Sequence, residues 1–458
     1  MADPRKLFLL ICLPSALMLS ACDTDYPTAP ADEVPNILVI VTDDQPMSGS
    51  LRAMTATREH FVKEGTRWSN AFATTPSCCP SRASIFTGQY AHNHGVTSNN
   101  ENQVDDLDHD DTIQRRLQEA DYFTGIVGKY LNKWNLANDP PYFDRWAIHP
   151  GAQLNRNYYY DGPWNVDGDE RVVHEYSTQF VTSRALDFLN QAEGQDDPWF
   201  LYVAPLAPHA DFDEPPLVEP KFKGAHIPKW QRNPAVDEAD LSDKPSFVRE
   251  VRRPASSPSI VRRRQLRSLM SVDALVDQLF DQLEESGEDE NTLAIFLSDN
   301  GYLWGEHGLV TKLYPYTPSV RIPLLVRWPG HVPAAKTDRR LVANLDVAPT
   351  LAAAAGLPPD SDVDGHSLLD PDWSRRRILL EGWGWSYVGL PRWASIRTKS
   401  AQYIEYQRGN RVTAREYYRL KKDPWQLRNA IHSAGRSRVE KLAGLLDQER
   451  DCRGSECP

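Results

Sequence analysis

The sequence predicts an α/β fold: a large, mixed, mostly parallel sheet flanked by helices, with a smaller antiparallel sheet plus helix at the C-terminal end. Three observations predict it. Apolar, β-branched runs such as Pro35 to Val41 (PNILVIV) have the continuous hydrophobicity of strands buried on both faces. Such runs alternate with amphipathic segments of helical period. Several of them end in polar residues, at the edge where open α/β sheets bind ligands.

The first segment is a targeting sequence. Arg5 and Lys6 precede a short apolar run, Leu7 to Leu19, broken by Pro14 and too short to span a membrane as a mature helix. It closes on Leu19-Ser20-Ala21-Cys22, which resembles a bacterial lipobox with cleavage before Cys22 and lipid on its thiol. A plain signal peptide cut near Ala21 and an uncleaved anchor are the alternatives. Residues 1–21 are therefore expected to be a lipoprotein signal peptide and 22–34 a polar tether. The domain would then stand outside the cytoplasm, at the bacterial cell membrane, held by lipid alone, or be secreted.

The folded elements follow in order. Pro35 to Val41 predicts a buried parallel strand that delivers Thr42-Asp43-Asp44-Gln45 at its C-terminal end. Arg52 to Gly65 has the pattern of a helix with a glycine stop. Thr112 to Glu119 predicts a helix, and Tyr122 to Tyr130 a strand running into Gly128-Lys129. Ser177 to Gln191 is helical, and Pro198 to Pro205 a strand leading to Ala207-Pro208-His209. The Pro- and charge-rich stretch Phe212 to Pro258 predicts a long loop, and Arg262 to Ser286 a long amphipathic helix. Thr292 to Ser298 is the next buried strand, ending in Asp299-Asn300-Gly301. Pro323 to Arg327 predicts a strand and Val342 to Ala355 a helix. After Gly365 the texture changes: Trp383, Trp385, Trp393, Ile396, Tyr403, Ile404 and Tyr406 sit in short alternating runs, predicting a small antiparallel sheet covered by a helix from Arg436 to Gln448. Residues 35–365 are thus expected to form the main domain and 366–458 a C-terminal subdomain.

Composition narrows the function. With 458 residues, 40% hydrophobic and 25% charged, the chain can bury a large core. Its 35 prolines predict long irregular loops. A net charge of −12 argues against nucleic-acid partners and requires any anion to be recognised by local Lys, Arg and His. Of the six cysteines, Cys12 lies in the leader and Cys22 at the lipobox. Cys452 and Cys457 close the chain and are expected to form a small disulfide loop outside the cytoplasm. No Cys/His spacing suggests zinc.

The remaining pair carries the chemistry. Cys78-Cys79-Pro80-Ser81-Arg82, followed by Thr87-Gly88, resembles the sulfatase signature C-x-P-S-R with a downstream T-G. The resemblance implies an alkaline-phosphatase-like fold and oxidation of Cys78 to formylglycine by a formylglycine-generating enzyme. The hydrated aldehyde attacks sulfur with one hydroxyl. Loss of the proton on the other collapses the adduct to the aldehyde and expels sulfate, where a serine would be left as a stable ester. Arg82, one turn beyond Cys78 on a helix that Pro80 can open, offers guanidinium donors to sulfate oxygens. Taken alone, a vicinal Cys pair would be buried packing, or a redox or metal pair.

Asp43, Asp44, Asp299 and Asn300 stand after two strands and offer oxygen ligands of the kind that suit Ca2+ or Mg2+. Either pair alone would be a turn or a helix cap; together, and matched to the sulfatase motif, they imply a metal. The family favours Ca2+. Lys129, His209 and Lys312 match the family's sulfate-binding and leaving-group positions, with His209 expected as general acid and Lys312 on the bridging oxygen. Solvent is the expected setting for Lys133 and for Arg262-Arg263-Arg264. One departure stands out: many sulfatases carry a His two residues after the first Lys, as the base that expels sulfate, where this chain has Leu131. His92 or His94, in HNHG, is expected to take that part.

GKYLN, CCPSRASIFTG and HNHG with SNNEN look like the N-acetylglucosamine-6-sulfatase and heparan endosulfatase branch. The resemblance implies a sulfated glycan substrate, either an N-acetylglucosamine-6-sulfate unit or a glycosaminoglycan. Asn99, Asn100, His307 and the Trp residues are candidate sugar contacts, though tryptophan more often packs in a core. Two alternatives remain: a phosphate or phosphonate monoester hydrolase of the same superfamily, and a non-catalytic surface glycan binder.

Overall fold

A ten-stranded sheet organises the computed structural model, which describes residues 34–100, 104–151, 158–211, 214–251 and 256–458. The expected signal peptide and the lipid-bearing Cys22 lie outside the described residues. In chain order the strands are β1 (Asn36–Thr42), β2 (Thr66–Phe72), β3 (Phe123–Lys129), β4 (Arg145–His149), β5 (Gly162–Val166), β6 (Asp169–Val173), β7 (Trp199–Ala204), β8 (Thr292–Ser298), β9 (Leu324–Arg327) and β10 (Lys336–Ala343). Their spatial order is β10-β2-β9-β8-β1-β7-β3-β4-β5-β6. The five central strands, β8-β1-β7-β3-β4, are mutually parallel. This is the mostly parallel α/β sheet that the sequence predicts.

The apolar runs explain that centre. Ile37 to Val41 are fully buried, with Ile37, Val39 and Val41 in the core on one face and Leu38 and Ile40 in the core on the other. A strand covered on both faces has no place for a polar side chain until it leaves the sheet, so the acids wait until Asp43. Helices cover the two faces: α1 (Cys78–Thr87), α2 (Ser177–Ala192), α3 (Pro258–Ser286) and α4 (Val347–Ala354). Proline in the first turn opens α3, and Gly287 at φ 76° closes it, each residue suiting its end. Every residue of α1 is buried, so this helix is internal rather than amphipathic.

The C-terminal residues form the expected antiparallel sheet, β11 (Ile378–Gly382), β12 (Arg392–Arg397), β13 (Gln402–Arg408) and β14 (Arg411–Tyr418), with α5 (Arg436–Glu449) beside it. Trp393, Tyr403 and Tyr406 are core side chains there, packed with Phe72 and Leu341 of the large sheet. Cys452 and Cys457 are joined in a disulfide.

Three expectations need correction. Val342 and Ala343, expected to open a helix, end β10 instead, and α4 begins at Val347. The helix expected over 52–65 is broken into a 3-10 turn, a single α-turn and a π-helical turn. Arg262 is not solvated: it is buried, donates to the Pro228 carbonyl at 3.0 Å and lies between the rings of Trp230 and Trp304, each 5.5 Å away.

Candidate active site

Four adjacent strands deliver the site. β1 and β8 run parallel in register to Thr42 and Ser298, so Asp43-Asp44 and Asp299-Asn300 leave the sheet side by side. β7, on the other flank of β1, leads to His209, and β3 beyond it ends on Lys129. The turn after β1 is pinned: the Gln45 amide donates to Ser298 Oγ at 2.9 Å and the Asp44 amide to Asp299 Oδ1 at 3.2 Å. Gly128 precedes Lys129 at φ 112°, and a Cβ there would fall 2.0 Å from the Ala204 carbonyl oxygen on β7, so only glycine fits.

The helix α1 meets this edge with Cys78 at its first residue. The Cys78 thiol donates to Asp43 Oδ1 at 3.5 Å, and Lys312 Nζ donates to Cys78 Sγ at 2.8 Å. Lys312 also bonds Asp44, and Lys129 bonds Asp43. Arg82, one turn along α1, donates from Nε to Asp299 Oδ2 at 2.9 Å and from Nη1 to the Lys129 carbonyl at 2.7 Å. His209 Nε2 lies 3.8 Å from Asp44 Oδ2. Asn300 Nδ2 donates to Asp44 Oδ1 at 2.7 Å, while its Oδ1 is buried without a partner. The expected nucleophile position, cationic residues, acid and metal ligands are thus gathered at one edge.

The electrostatics follow from burial and mutual pairing. Burial works to raise the Asp43 pKa, but Lys129, His209, Lys312 and Arg82 together hold it well below the usual carboxylate range. Burial, then the Asp43 charge, lift Asp299 to about 6. Burial first, and Asp43 next, push the Cys78 thiol up to about 11. In this setting an unmodified Cys78 holds its proton and is not a ready nucleophile. Burial disfavours the Lys312 ammonium, yet Asp44 overrides it and keeps the group charged. Burial also lowers His209, against the pull of Asp43 and Asp44.

The site fits a divalent cation. Asp43, Asp44, Cys78 and His209 place ligand-capable atoms within 4.8 Å of one another. The buried Asn300 Oδ1 is a hard acceptor with no hydrogen-bond partner among the described residues. The three carboxylates Asp43, Asp44 and Asp299 are already matched by Arg82, Lys129 and Lys312. Admitting an anionic ester therefore calls for added positive charge.

Other candidates lie elsewhere. His92 Nδ1 is 2.9 Å from Glu381 Oε2 and its Nε2 3.0 Å from the Cys452 carbonyl, so it ties β11 to the C-terminal loop. His94 is buried against Ser84 Oγ at 3.1 Å. Neither is brought to the Cys78 cluster, and Leu131 is a fully buried core residue. Asn99 Oδ1 accepts from the Cys79 amide at 2.9 Å, capping the first turn of α1, while Asn100 is exposed. His307 is held 2.6 Å from Glu238, with its ring tilted against that of Tyr316. Of the tryptophans, Trp393 is core and Trp385 is 45% exposed.

Sequence reasoning did not single out Tyr158, whose ring stacks on His209 with centroids 4.8 Å apart and planes 13° apart. Its only sequence signal is the run Tyr158-Tyr159-Tyr160. It also missed Asn344, whose amide accepts from Thr74 and donates to Ser81, locking the start of α1.

Comparison with known proteins agrees with this geometry. Residues 35–357 match the Sulfatase family model, and residues 305–451 match N-sulphoglucosamine sulphohydrolase, C-terminal. An extracellular sulfatase SULF-1 homolog of Drosophila melanogaster is 33% identical over 77% of this chain, but the chain spans only 33% of that relative's length. The N-acetylglucosamine-6-sulfatase of Homo sapiens is 28% identical, covering 97% of this chain and 90% of its own. Among solved structures, a protein in complex with its substrate D-glucosamine-2-N,6-O-disulfate superposes with a TM-score of 0.74 at 25% identity, over 91% of this chain and 97% of that one. With the family model spanning most of its length and the signature cysteine at the carboxylate edge, the chain belongs to the sulfatase family.

Proposed function

We propose that the protein is a sulfuric ester hydrolase that releases inorganic sulfate from a 6-sulfated N-acetylglucosamine unit of a glycosaminoglycan-like glycan. The observation that carries this reading is the convergence on Cys78: Lys312 at 2.8 Å and Asp43 at 3.5 Å from its sulfur, beside the cation-ready edge. Relatives named for N-acetylglucosamine-6-sulfate chemistry support the substrate class.

The residues divide the work. Converted to formylglycine by a generating enzyme, Cys78 supplies a geminal-diol nucleophile whose collapse expels sulfate. Asp43, Asp44, Asp299 and Asn300 would hold Ca2+, with Mg2+ as the alternative, and that ion offsets charge on the sulfate group. Arg82 and Lys129 hold the nucleophile's surroundings rigid and positive. When the ester S–O bond breaks, the departing alkoxide takes a proton from His209, and Lys312 steadies the same bridging oxygen. Net, one water is consumed, and one alcohol and one sulfate are formed.

The leader supports an extracytoplasmic location, with residues 1–21 as signal peptide, Cys22 as lipid acceptor and 22–34 as tether. Residues 35–365 then form the catalytic domain and 366–458 the C-terminal subdomain. No described helix is long and apolar enough to cross a membrane.

The deciding experiment is mass spectrometry of the Cys78 peptide from a host with the generating enzyme, together with sulfate release from N-acetylglucosamine-6-sulfate. Conversion exchanges sulfur and two hydrogens for one oxygen. An intact thiol in active protein would overturn the nucleophile assignment, and faster turnover of a matched phosphate ester would overturn the reaction class.

A further inference from the structure

Tyr158 stands out among the described residues as a polar side chain kept beside the site at a cost. It is 3% exposed, and its hydroxyl has no hydrogen-bond partner. Burying an unpaired hydroxyl is unfavourable, so such a group is retained where something else meets it. Its ring lies flat on His209, whose Nε2 is 3.8 Å from Asp44. The ring is also 5.9 Å from that of His149, the β4 partner of Lys129 in the sheet register. The phenol therefore sits over His209, with Asp43, Lys312 and Asp44 close enough for their charges to act on it.

We propose that the Tyr158 hydroxyl donates a hydrogen bond to a sulfate oxygen of the substrate, and that its ring holds the His209 imidazole in the plane needed to protonate the leaving oxygen. The hydroxyl is then a contact residue for the anion, and the ring a positioning group for the acid. The donor role agrees with the chemistry of the group. Burial first, and then the Asp43 charge and the Cys78 position, hold its pKa well above the ordinary tyrosine value. It keeps its proton and gives a hydrogen bond, and it is not a base. An unpaired donor facing sulfate meets a charged acceptor, the stronger class of hydrogen bond.

The inference rests on the sulfatase reading, and the test separates the two. Full-length protein with Cys78 conversion verified by peptide mass is compared with Tyr158→Phe, which keeps the stack and removes the hydroxyl, and with Tyr158→Leu, which removes both. Inorganic sulfate serves as the probe, by competitive inhibition and by thermal shift. Tyr158→Phe should fold with an unchanged or higher midpoint, lose about 10- to 100-fold in kcat/KM, and weaken inhibition by sulfate by a similar factor. Tyr158→Leu should add a further loss in kcat, larger for sugar sulfates than for aryl sulfates, whose leaving groups need no proton. Wild-type kcat/KM and sulfate inhibition in Tyr158→Phe would overturn the proposal. So would a lower midpoint with sulfate binding intact, the mark of a packing role. If the converted wild type releases no sulfate from any ester, the sulfatase reading falls instead, and the sulfate thermal shift still decides whether Tyr158 binds the anion.

Discussion

The Trp393 indole of β12 donates a 2.9 Å hydrogen bond to the carbonyl of Leu313, the residue after Lys312. The C-terminal sheet thereby grips the loop that presents Lys312 to Cys78. The grip is needed because Leu313 is held at φ 78°, a left-handed backbone that a branched side chain adopts only under constraint. Gly382, across from Trp393 on β11, leaves the space: a Cβ there would lie 2.4 Å from the indole.

Trp393→Phe should therefore lower kcat several-fold with little change in KM, while costing about 1 kcal/mol of stability for the lost bond. Gly382→Ala should act in the same direction by displacing the ring, with a larger stability cost of ~1–3 kcal/mol from overpacking. Steady-state kinetics on a sugar sulfate and thermal melts check both. Full activity in either variant would show that Lys312 is positioned without the C-terminal sheet.

His209→Asn should discriminate between leaving groups. A sugar alkoxide needs a proton as it departs and a nitrophenolate does not, so the variant should lose about 10²- to 10⁴-fold in kcat on a sugar sulfate. On an aryl sulfate the loss should be much smaller. Equal losses on both substrates would assign His209 to holding the site rather than to proton transfer.

What the sequence could reveal depended on how local each signal was. β1 and β8 were legible as continuous apolar runs, and their polar endings named Asp43, Asp44, Asp299 and Asn300. β10 was not, because it is an edge strand bearing Lys336, Asp338, Arg339 and Arg340. Its last residues were absorbed into a helix expected from 342, whereas α4 begins at Val347. The helix expected over 52–65 failed for a non-local reason. The Asp273 carboxylate on α3 accepts from the amides of Thr55, Ala56 and Thr57, fixing a fresh N-terminus in mid-segment. At the site, contiguous motifs gave Cys78 and Arg82. Tyr158 and Trp393 act through contacts with residues 51 and 80 positions away, which no spacing records.

His92 and His94 should shift stability in opposite directions with pH. Burial opposes charge on His92, but the Glu381 hydrogen bond outweighs it and raises its pKa. Its contribution is fully present below the unfolded value of about 6.5 and is lost as pH rises through the raised folded value. Burial lowers His94 to about 3, so its contribution is present above about 6.5 and is lost as pH falls toward 3. His92→Gln should thus lower the melting midpoint more at about pH 6 than at about pH 9. The deficit of His94→Gln should shrink on acidification. Parallel profiles for the two variants would contradict the pairing seen for His92.

Removing the divalent cation should destabilise the folded protein as well as silence it. Asp43 pairs with Lys129 and Asp44 with Lys312, so the ion would share its carboxylates with both lysines and tie them to one another. Chelation is therefore expected to lower the melting midpoint and weaken inhibition by inorganic sulfate, with Ca2+ restoring both; a ligand that binds only the native state stabilises it by an amount that grows with the logarithm of its free concentration above Kd. Asn300→Ala removes the acceptor that has no partner among the described residues, so it should raise the Ca2+ concentration needed for half-maximal activity while leaving the metal-free midpoint unchanged or higher. An Asn300→Ala variant with the wild-type Ca2+ requirement would remove Asn300 from the ligand set, and a midpoint indifferent to chelation would remove the ion.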